Sequence, residues 1–303
     1  MRKILFTSAL FFVAFIANAQ VKKTQLNNEN LKGKVRSVDV LLYTGEEKDR
    51  VIVKGKQRER TYQLYNKNGF LSESLVDNYT DKISYKSIKF YDENNNLIKH
   101  EYRIHKTDGG GTDKTEITES KYNDQGIIEE IEYTNGSLQR KTLYTYLDNG
   151  LTILIDRYGP KGNLYYTKVE KLNQQKSVVS SNSKSLISQI TRSEAYKYDQ
   201  WENMIEKISS SNEFSNFQST ETYTYNILQQ QVSSYLNESL QTTIEYDTIG
   251  NPVKVIYNFG GISGTQFDVY VYDKWNNWIK KTTSSPLGVE IRERKIDYFE
   301  NAE

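Results

Sequence analysis

Two stretches near the C-terminus decide how this chain is read: Tyr246-Asp247-Thr248-Ile249-Gly250-Asn251 and Tyr272-Asp273-Lys274-Trp275-Asn276-Asn277-Trp278. In each, a tyrosine ends a run of alternating residues and an Asp follows it. A Gly or Asn stands four places after the tyrosine, and an apolar residue soon follows. An Asp in that place can bond its side chain to backbone two residues on and start a turn. Gly and Asn tolerate the positive φ that a tight reversal needs. The apolar residue then returns the chain to a buried face. Each stretch is therefore a strand, a tight turn and the start of a second strand.

Working outward, the same punctuation recurs at Tyr65-Asn66-Lys67-Asn68-Gly69-Phe70, at Tyr91-Asp92-Glu93-Asn94-Asn95-Asn96-Leu97, and at Tyr122-Asn123-Asp124-Gln125-Gly126-Ile127. It continues at Tyr146 to Leu151, Tyr158 to Leu164 and Tyr198-Asp199-Gln200-Trp201-Glu202-Asn203-Met204. Tyr225-Asn226 reads as a further copy whose turn has decayed to Gln229-Gln230-Gln231. Looser turns such as Thr134-Asn135-Gly136-Ser137 lie between, so the pattern is a meander of hairpins. Copies start about 20 to 30 residues apart, with two exceptions: 12 residues from Tyr146 to Tyr158 and 40 from Tyr158 to Tyr198. The long step holds the polar, Ser-rich segment 174–188, which reads as a mobile loop or a boundary between two half-arrays. Segment 106–115, with Gly109-Gly110-Gly111, reads as a second flexible loop.

Composition agrees with strands. After residue 20 the only alanines are Ala195 and Ala302 and the only methionine is Met204, whereas the chain has 24 tyrosines. Poor supply of helix formers and a wealth of Tyr, Thr, Ile and Val favour sheet. Tyr144 and Tyr146, Tyr196 and Tyr198, Tyr223 and Tyr225, and Tyr270 and Tyr272 stand two apart, which places each pair on one face of a strand. Stacked across hairpins they form an aromatic ladder, whose first role is packing.

The N-terminus reads as an export signal. Arg2 and Lys3 precede the apolar run 4–16, and Ala17-Asn18-Ala19 supplies a cleavage site before Gln20. The run of about thirteen residues is short of the ~20 needed to span a bilayer, which weighs against a membrane anchor. The chain has no cysteine, so disulfides, thiolate metal sites, a cysteine nucleophile and a lipidated N-terminal Cys are excluded. The expected compartment is the periplasm, the cell surface or the medium. Removing the leader takes two of 40 basic residues and leaves 38 against 39 acids. That balance offers no basic stripe for nucleic acid or an anionic membrane.

The Tyr-Asp-x-x-Gly-Asn-apolar pattern resembles the YD repeat of rearrangement-hotspot (Rhs-type) and teneurin-type proteins, in copies running from about 60 to 298. Tyr272 to Lys281, with Arg292 to Tyr298, resembles the closing repeat of small exported YD-repeat-like proteins of Bacteroidetes, and Leu31 to Val38 resembles their first strand. In large members the hairpins wind into a spiral shell around a cargo. That role does not carry over, because this array is too short for a closed shell, and the repeats bring no catalytic residue with them.

The remaining constellations are weak. His100 and His105 stand five apart on one strand and so point to opposite faces, away from a shared metal. Asp92-x-Asn94-x-Asn96 resembles the front of a calcium loop, but Leu97 and Arg103 stand where an EF-hand needs Gly and Glu. Acidic pairs such as Glu129/Glu130 and Glu46/Glu47 mark no cleft for glycoside hydrolysis. The glycines at 109–111 and 260–264 are not followed by the Lys-Ser/Thr of a phosphate loop. Trp201 and Trp275 occupy the same place inside their turns, where an exposed ring can stack on a sugar or anchor a partner, or fold back to cap a neighbouring hairpin. Trp278 takes the apolar returning position and is expected in the core.

The reading is thus an all-β protein: an antiparallel meander of about eight hairpins forming one long twisted sheet or half-open spiral. A signal peptide (1–19) precedes N-terminal capping strands (20–59) and a hairpin array (60–303). Tyr91, Asp92, Tyr198, Asp199, Gly250, Asn251, Tyr272 and Asp273 are its turn-building residues, and Trp201 and Trp275 its candidate binding residues. The expected function is non-enzymatic binding or scaffolding of a protein or polysaccharide partner, without cofactor or metal. The alternatives are a glycan- or cell-wall-binding, possibly hydrolytic, protein and a companion or relic of an exported toxin system.

Overall fold

The computed structural model describes residues 24–49, 51–106, 113–213, 217–259 and 261–300. The segment read as the export signal, and the glycines at 109–111, lie outside the described residues. A short helix, α1 (Gln25–Asn28), precedes twenty strands. They are β1 (Val35–Lys48), β2 (Val51–Tyr65), β3 (Leu71–Asn78), β4 (Ile83–Tyr91), β5 (Leu97–Lys106), β6 (Lys114–Asn123) and β7 (Gly126–Thr134). Next come β8 (Ser137–Leu147), β9 (Thr152–Tyr158), β10 (Leu164–Leu172), β11 (Val178–Ser185), β12 (Thr191–Tyr198), β13 (Met204–Ser211) and β14 (Phe217–Tyr225). The last six are β15 (Gln231–Leu236), β16 (Ser239–Tyr246), β17 (Pro252–Phe259), β18 (Ile262–Tyr272), β19 (Trp278–Ser285) and β20 (Gly288–Tyr298).

Each strand pairs antiparallel with the next, and β1 pairs antiparallel with β20, from Val35↔Tyr298 to Thr44↔Glu290. The sheet is therefore a closed β-barrel, which corrects the expected open sheet or half-open spiral. The physical means of closure is visible in the register. A bulge accompanies the tyrosine at Tyr65, Tyr91, Tyr122, Tyr198, Tyr225, Tyr246 and Tyr272, and Leu172 in the β10–β11 hairpin carries the same irregularity. Bulges bend the strand and increase local twist, so one at the same end of most hairpins curls the sheet steadily until its ends meet.

Two other expectations change. Segment 174–188 is not a mobile loop: it supplies a turn, all of β11 and the start of the next connection. Leu172 takes the place of the tyrosine there, and the register runs 146, 172, 198 in two steps of 26 residues. The turn after Tyr158 joins β9 to β10 and so lies at the opposite rim, which accounts for the short and long steps in the tyrosine spacing.

Among the described residues the buried apolar cluster lies at the seam, with Ile155 in β9 buried apart from it. Leu31, Val35, Val38 and Tyr65 form a small cluster, supported by Leu26, Val40, Leu71, Ile296 and Tyr298. The α1 segment is tied to it: the Leu71 amide donates to Gln25 Oε1 (3.1 Å) and Gln63 Nε2 to Glu29 Oε1 (3.0 Å). Among the described residues the substantial contacts between strands are all between neighbours in the sheet. Barrels of about 16–22 strands enclose a lumen, and twenty strands fall in that range.

Candidate functional site

Which wall faces the lumen follows from alternation and crowding. In β18, Gln266, Asp268, Tyr270 and Tyr272 share one face, while Phe267, Val269 and Val271 share the other. Asp268 is 4% exposed, against 51% for Phe267 and 67% for Val269. A closed sheet crowds side chains on its concave face, so the tyrosine face is the inner wall. The strand pairings carry this assignment around the ring.

Much of the inner wall is polar and densely bonded, with apolar positions such as Val38, Val40 and Ile155 among the polar ones. Lys281 pairs with Asp268 (2.9 Å), which also accepts from Thr283 (2.6 Å) and Gln266 (2.9 Å). Lys168 pairs with Glu170 (2.6 Å), and Lys207 lies 3.4 Å from both Glu194 and Glu221. Tyr196 and Tyr223 donate to Glu194 and Glu221, at 2.8 and 2.6 Å. Burial first, then the bonded carboxylate, pushes both phenols well above the usual tyrosine range. Arg294 stacks over the Trp278 ring at 3.4 Å, and burial pulls its guanidinium down to about 10. Trp278 faces this wall half-buried beneath Arg294 and lies outside the buried apolar cluster, which corrects the expected core position. His100 faces this wall and meets Ser87 (2.8 Å); His105 faces outward and meets Asp113 (2.6 Å).

The outer wall also carries charge in the middle of its strands. Glu101 is held by Lys99 (3.0 Å) and Arg103 (2.9 Å), and Glu129 by Lys121 and Lys141 (both 2.6 Å). Lys86–Glu73 (3.0 Å), Lys197–Glu206 (2.6 Å) and Arg60–Asp39 (2.9 Å) cross neighbouring strands on the same face.

At the tight-turn rim the expected turn chemistry is present. Asp199 Oδ1 accepts from the amides of Trp201 and Asn203 (2.9 Å each), Asp92 Oδ1 from Asn94 (2.9 Å) and Asn96 (2.7 Å), and Asp273 Oδ1 from Trp275 (2.8 Å) and Asn277 (2.9 Å). Asp247 Oδ1 accepts from Ile249, Gly250 and Asn251. The tyrosines serve the adjacent hairpin: Tyr91 donates to the Leu71 carbonyl (2.8 Å) and Tyr198 to the Val178 carbonyl (2.8 Å), while Tyr272 donates to Asp247 and accepts from Asn251 Nδ2 (3.0 Å). Sequence reasoning missed this role of the phenols. Its only signal was the recurrence of a tyrosine 15 to 25 residues after the strand start or turn it bonds to.

The two candidate tryptophans share this rim but differ. Trp275 is 45% exposed and packs on Tyr298 at 5.9 Å between ring centroids, with the Lys274 ammonium 5.5 Å from the centroid of its ring. Trp201 is 61% exposed. They sit on separate turns, β18–β19 and β12–β13, and form no shared site. Among the described residues no cluster of three or more His, Asp or Glu is arranged to hold a metal, and no helix is long and apolar enough to cross a membrane.

No family model matches the chain, and no curated protein matches it. Solved structures similar to it include a porin-like protein from Bacteroides uniformis ATCC 8492, at 10% identity and a TM-score of 0.37, covering 87% of this chain and 96% of that one. A porin-like protein from Bacteroides vulgatus ATCC 8482 is similar at 13% identity and a TM-score of 0.29, with 89% and 100% covered. TcdB2-TccC3 without its hypervariable C-terminal region is similar at 12% identity and a TM-score of 0.38; the match covers 82% of this chain and 15% of that one. These scores are too low to assign a function, which rests instead on the residues described above.

Proposed function

We propose that this chain is an exported, non-enzymatic binding protein of the periplasm or cell surface, in which a YD-type hairpin array closes into a water-facing barrel and holds a polar ligand against its inner wall. The observation that carries the reading is that the outer wall, although it bears exposed apolar residues such as Phe267, Val269 and Val271, also carries ion pairs in the middle of its strands. A barrel in a bilayer presents an apolar band outward, and each Lys or Arg on the lipid face near the mid-plane costs about 2–4 kcal/mol. Here Lys86, Arg103, Lys121, Lys141 and Lys197 face outward within the strands, each paired with a carboxylate. Such pairs suit water. The inner wall presents hydroxyls, phenols and paired charges around a lumen, a surface made for a hydrated polar ligand rather than a lipid or an apolar cofactor.

Vesicle flotation tests this. The purified chain, mixed with phosphatidylethanolamine and phosphatidylglycerol vesicles, is expected to stay in the dense fraction and to remain monodisperse without detergent. Stable co-flotation, or a requirement for detergent, overturns the water-facing reading.

A further inference from the structure

One sector of the inner wall departs from the rest. Two cross-strand rows run over β10 to β14: Lys168, Ser183, Arg192, Ser211 and Phe217 in one, and Glu170, Ser181, Glu194, Ser209 and Ser219 in the next. Serines alternate with long side chains, and because they are short they leave hollows between them. One hollow, of about 370 Å³, lies between β10 and β12 and is lined by Tyr166, Lys168 and Ser183. The other, of about 330 Å³, lies between β12 and β14 and is lined by Ser209, Ser211 and Phe217. The two meet at Arg192 and Glu194, which line both. Phe217 is 52% exposed, an apolar ring standing open among the serines of this sector.

We propose that this sector is a binding site for a neutral oligosaccharide, laid across the strands with Tyr166 and Phe217 as its two aromatic ends. The inference rests on the water-facing reading above and names its ligand. Four inter-strand steps of ~4.8 Å separate β10 from β14, about 19 Å along the wall, a span for several sugar units rather than one. Aromatic faces stack on the apolar faces of pyranose rings, and the serine floor supplies hydroxyl donors and acceptors. The charges are already paired within the protein: Lys168 with Glu170 (2.6 Å), Arg192 with Glu213 (2.6 Å), and Glu194 with Ser181 (3.0 Å) and Tyr196 (2.8 Å). The charged side chains that line the two hollows are thus already engaged, and sugar hydroxyls can bond to the fixed carboxylates and guanidinium. Arg157, which covers one face of Tyr166 at 4.6 Å, stands beside the hollows and not in their lining. An extended peptide is the weaker occupant, because strand addition needs a free sheet edge and a closed barrel has none.

Isothermal titration of the full exported chain with cellohexaose, xylohexaose, maltohexaose and N-acetylchitohexaose tests the site. At least one is expected to bind. Tyr166→Ala with Phe217→Ala, which removes both stacking contacts, is expected to weaken that binding about tenfold or more. Ser183→Leu with Ser209→Leu, which fills the hollows and removes no aromatic, is expected to do the same, and Trp201→Ala to change nothing. Circular dichroism establishes that each variant is folded. Failure of all four sugars to bind overturns the ligand class, and binding that survives both double variants overturns the site. Either result leaves the flotation outcome intact, so the two proposals fail separately.

Discussion

At the scale of single residues the turn carboxylates and amides set the rim. The residue four places after each tyrosine has positive φ throughout, from Gly69 (+81°) and Asn95 (+58°) to Glu202 (+64°) and Gln229 (+63°). Gly takes this conformation without strain; Glu and Gln do not. At those two turns the side chain bridges to the preceding turn: Glu202 accepts from Asn173 (3.2 Å) and Ser177 (2.8 Å), and Gln229 from Asn203. A bridge between turns thus stands against the backbone strain. Asp247 offers the cleanest test of the acidic residue. Burial raises its pKa, but the Tyr272 hydroxyl and the amides of Asn251, Ile249 and Gly250 outweigh that and hold it below its ordinary value of 3.8. Asp247→Ala leaves those donors without their partner and is expected to cost about 1–2 kcal/mol in urea unfolding. Asp247→Asn is expected to cost less, since Asn66 and Asn226 already accept the same amides at their own turns. The sign of the pH effect follows from linkage: a carboxyl depressed in the folded state stabilises above its unfolded pKa and loses that contribution as pH falls through the folded one. The parent is therefore expected to weaken below about pH 4, and Asp247→Asn to weaken less steeply. Equal loss in Ala and Asn at pH 7 would show that the carboxylate geometry, not the accepted amides, is what matters.

At the scale of the hairpin, the alternation and the turns were legible because both are local. Tyr144 and Tyr146 share a face as their spacing implies, and Trp275 folds back on Tyr298, one of the two placements open to it. Strand β11 was hidden because its serines, short and polar, read as a loop until neighbours on both sides supplied their pairing. The same hairpin lacks the phenol: Leu172 stands where other repeats have tyrosine, and its amide donates to the Leu151 carbonyl (2.8 Å). Leu172→Tyr is expected to restore the bond to a carbonyl at the start of β9, as Tyr146 reaches Ile127 (3.0 Å) and Tyr225 reaches Met204 (2.7 Å). A gain of about 0.5–1.5 kcal/mol in unfolding free energy, read from urea titration, is the expected result. A loss would mean that the β10–β11 turn is packed around leucine and that the phenol is not interchangeable between repeats. The candidate sugar sector lies on the same serine-rich strands, which is why sequence reasoning, drawn to the tryptophans, passed over it.

At the scale of the whole molecule the deciding feature is the pairing of β1 with β20, about 260 residues apart in the chain, and no local pattern announces it. Around it the rim is tied by Asn277, which accepts from the Lys32 amide (2.7 Å) and donates to the Lys32 carbonyl and the Tyr298 hydroxyl (2.8 Å each), and by the Phe299 amide donating to the Lys34 carbonyl (2.8 Å). With almost no apolar packing outside this seam, stability is spread over neighbour-to-neighbour pairing, and closure removes the two edges an open array would expose. The absence of cysteine makes a direct test simple. Asp39 and Lys295 stand opposite each other across the seam. Directly opposed antiparallel residues lie about 4.5–5.5 Å apart at Cα, inside the range a disulfide spans. Asp39→Cys with Lys295→Cys is expected to form an intramolecular disulfide on mild oxidation of the folded monomer, seen as faster migration in non-reducing gels and as a cross-linked peptide by mass spectrometry. Because the bond closes a loop of most of the chain, it is expected to raise the unfolding free energy by up to about 4–5 kcal/mol in the chain-entropy limit. An open sheet or spiral holds those two strands apart and gives no such monomeric product, only disulfide-linked dimers or free thiols.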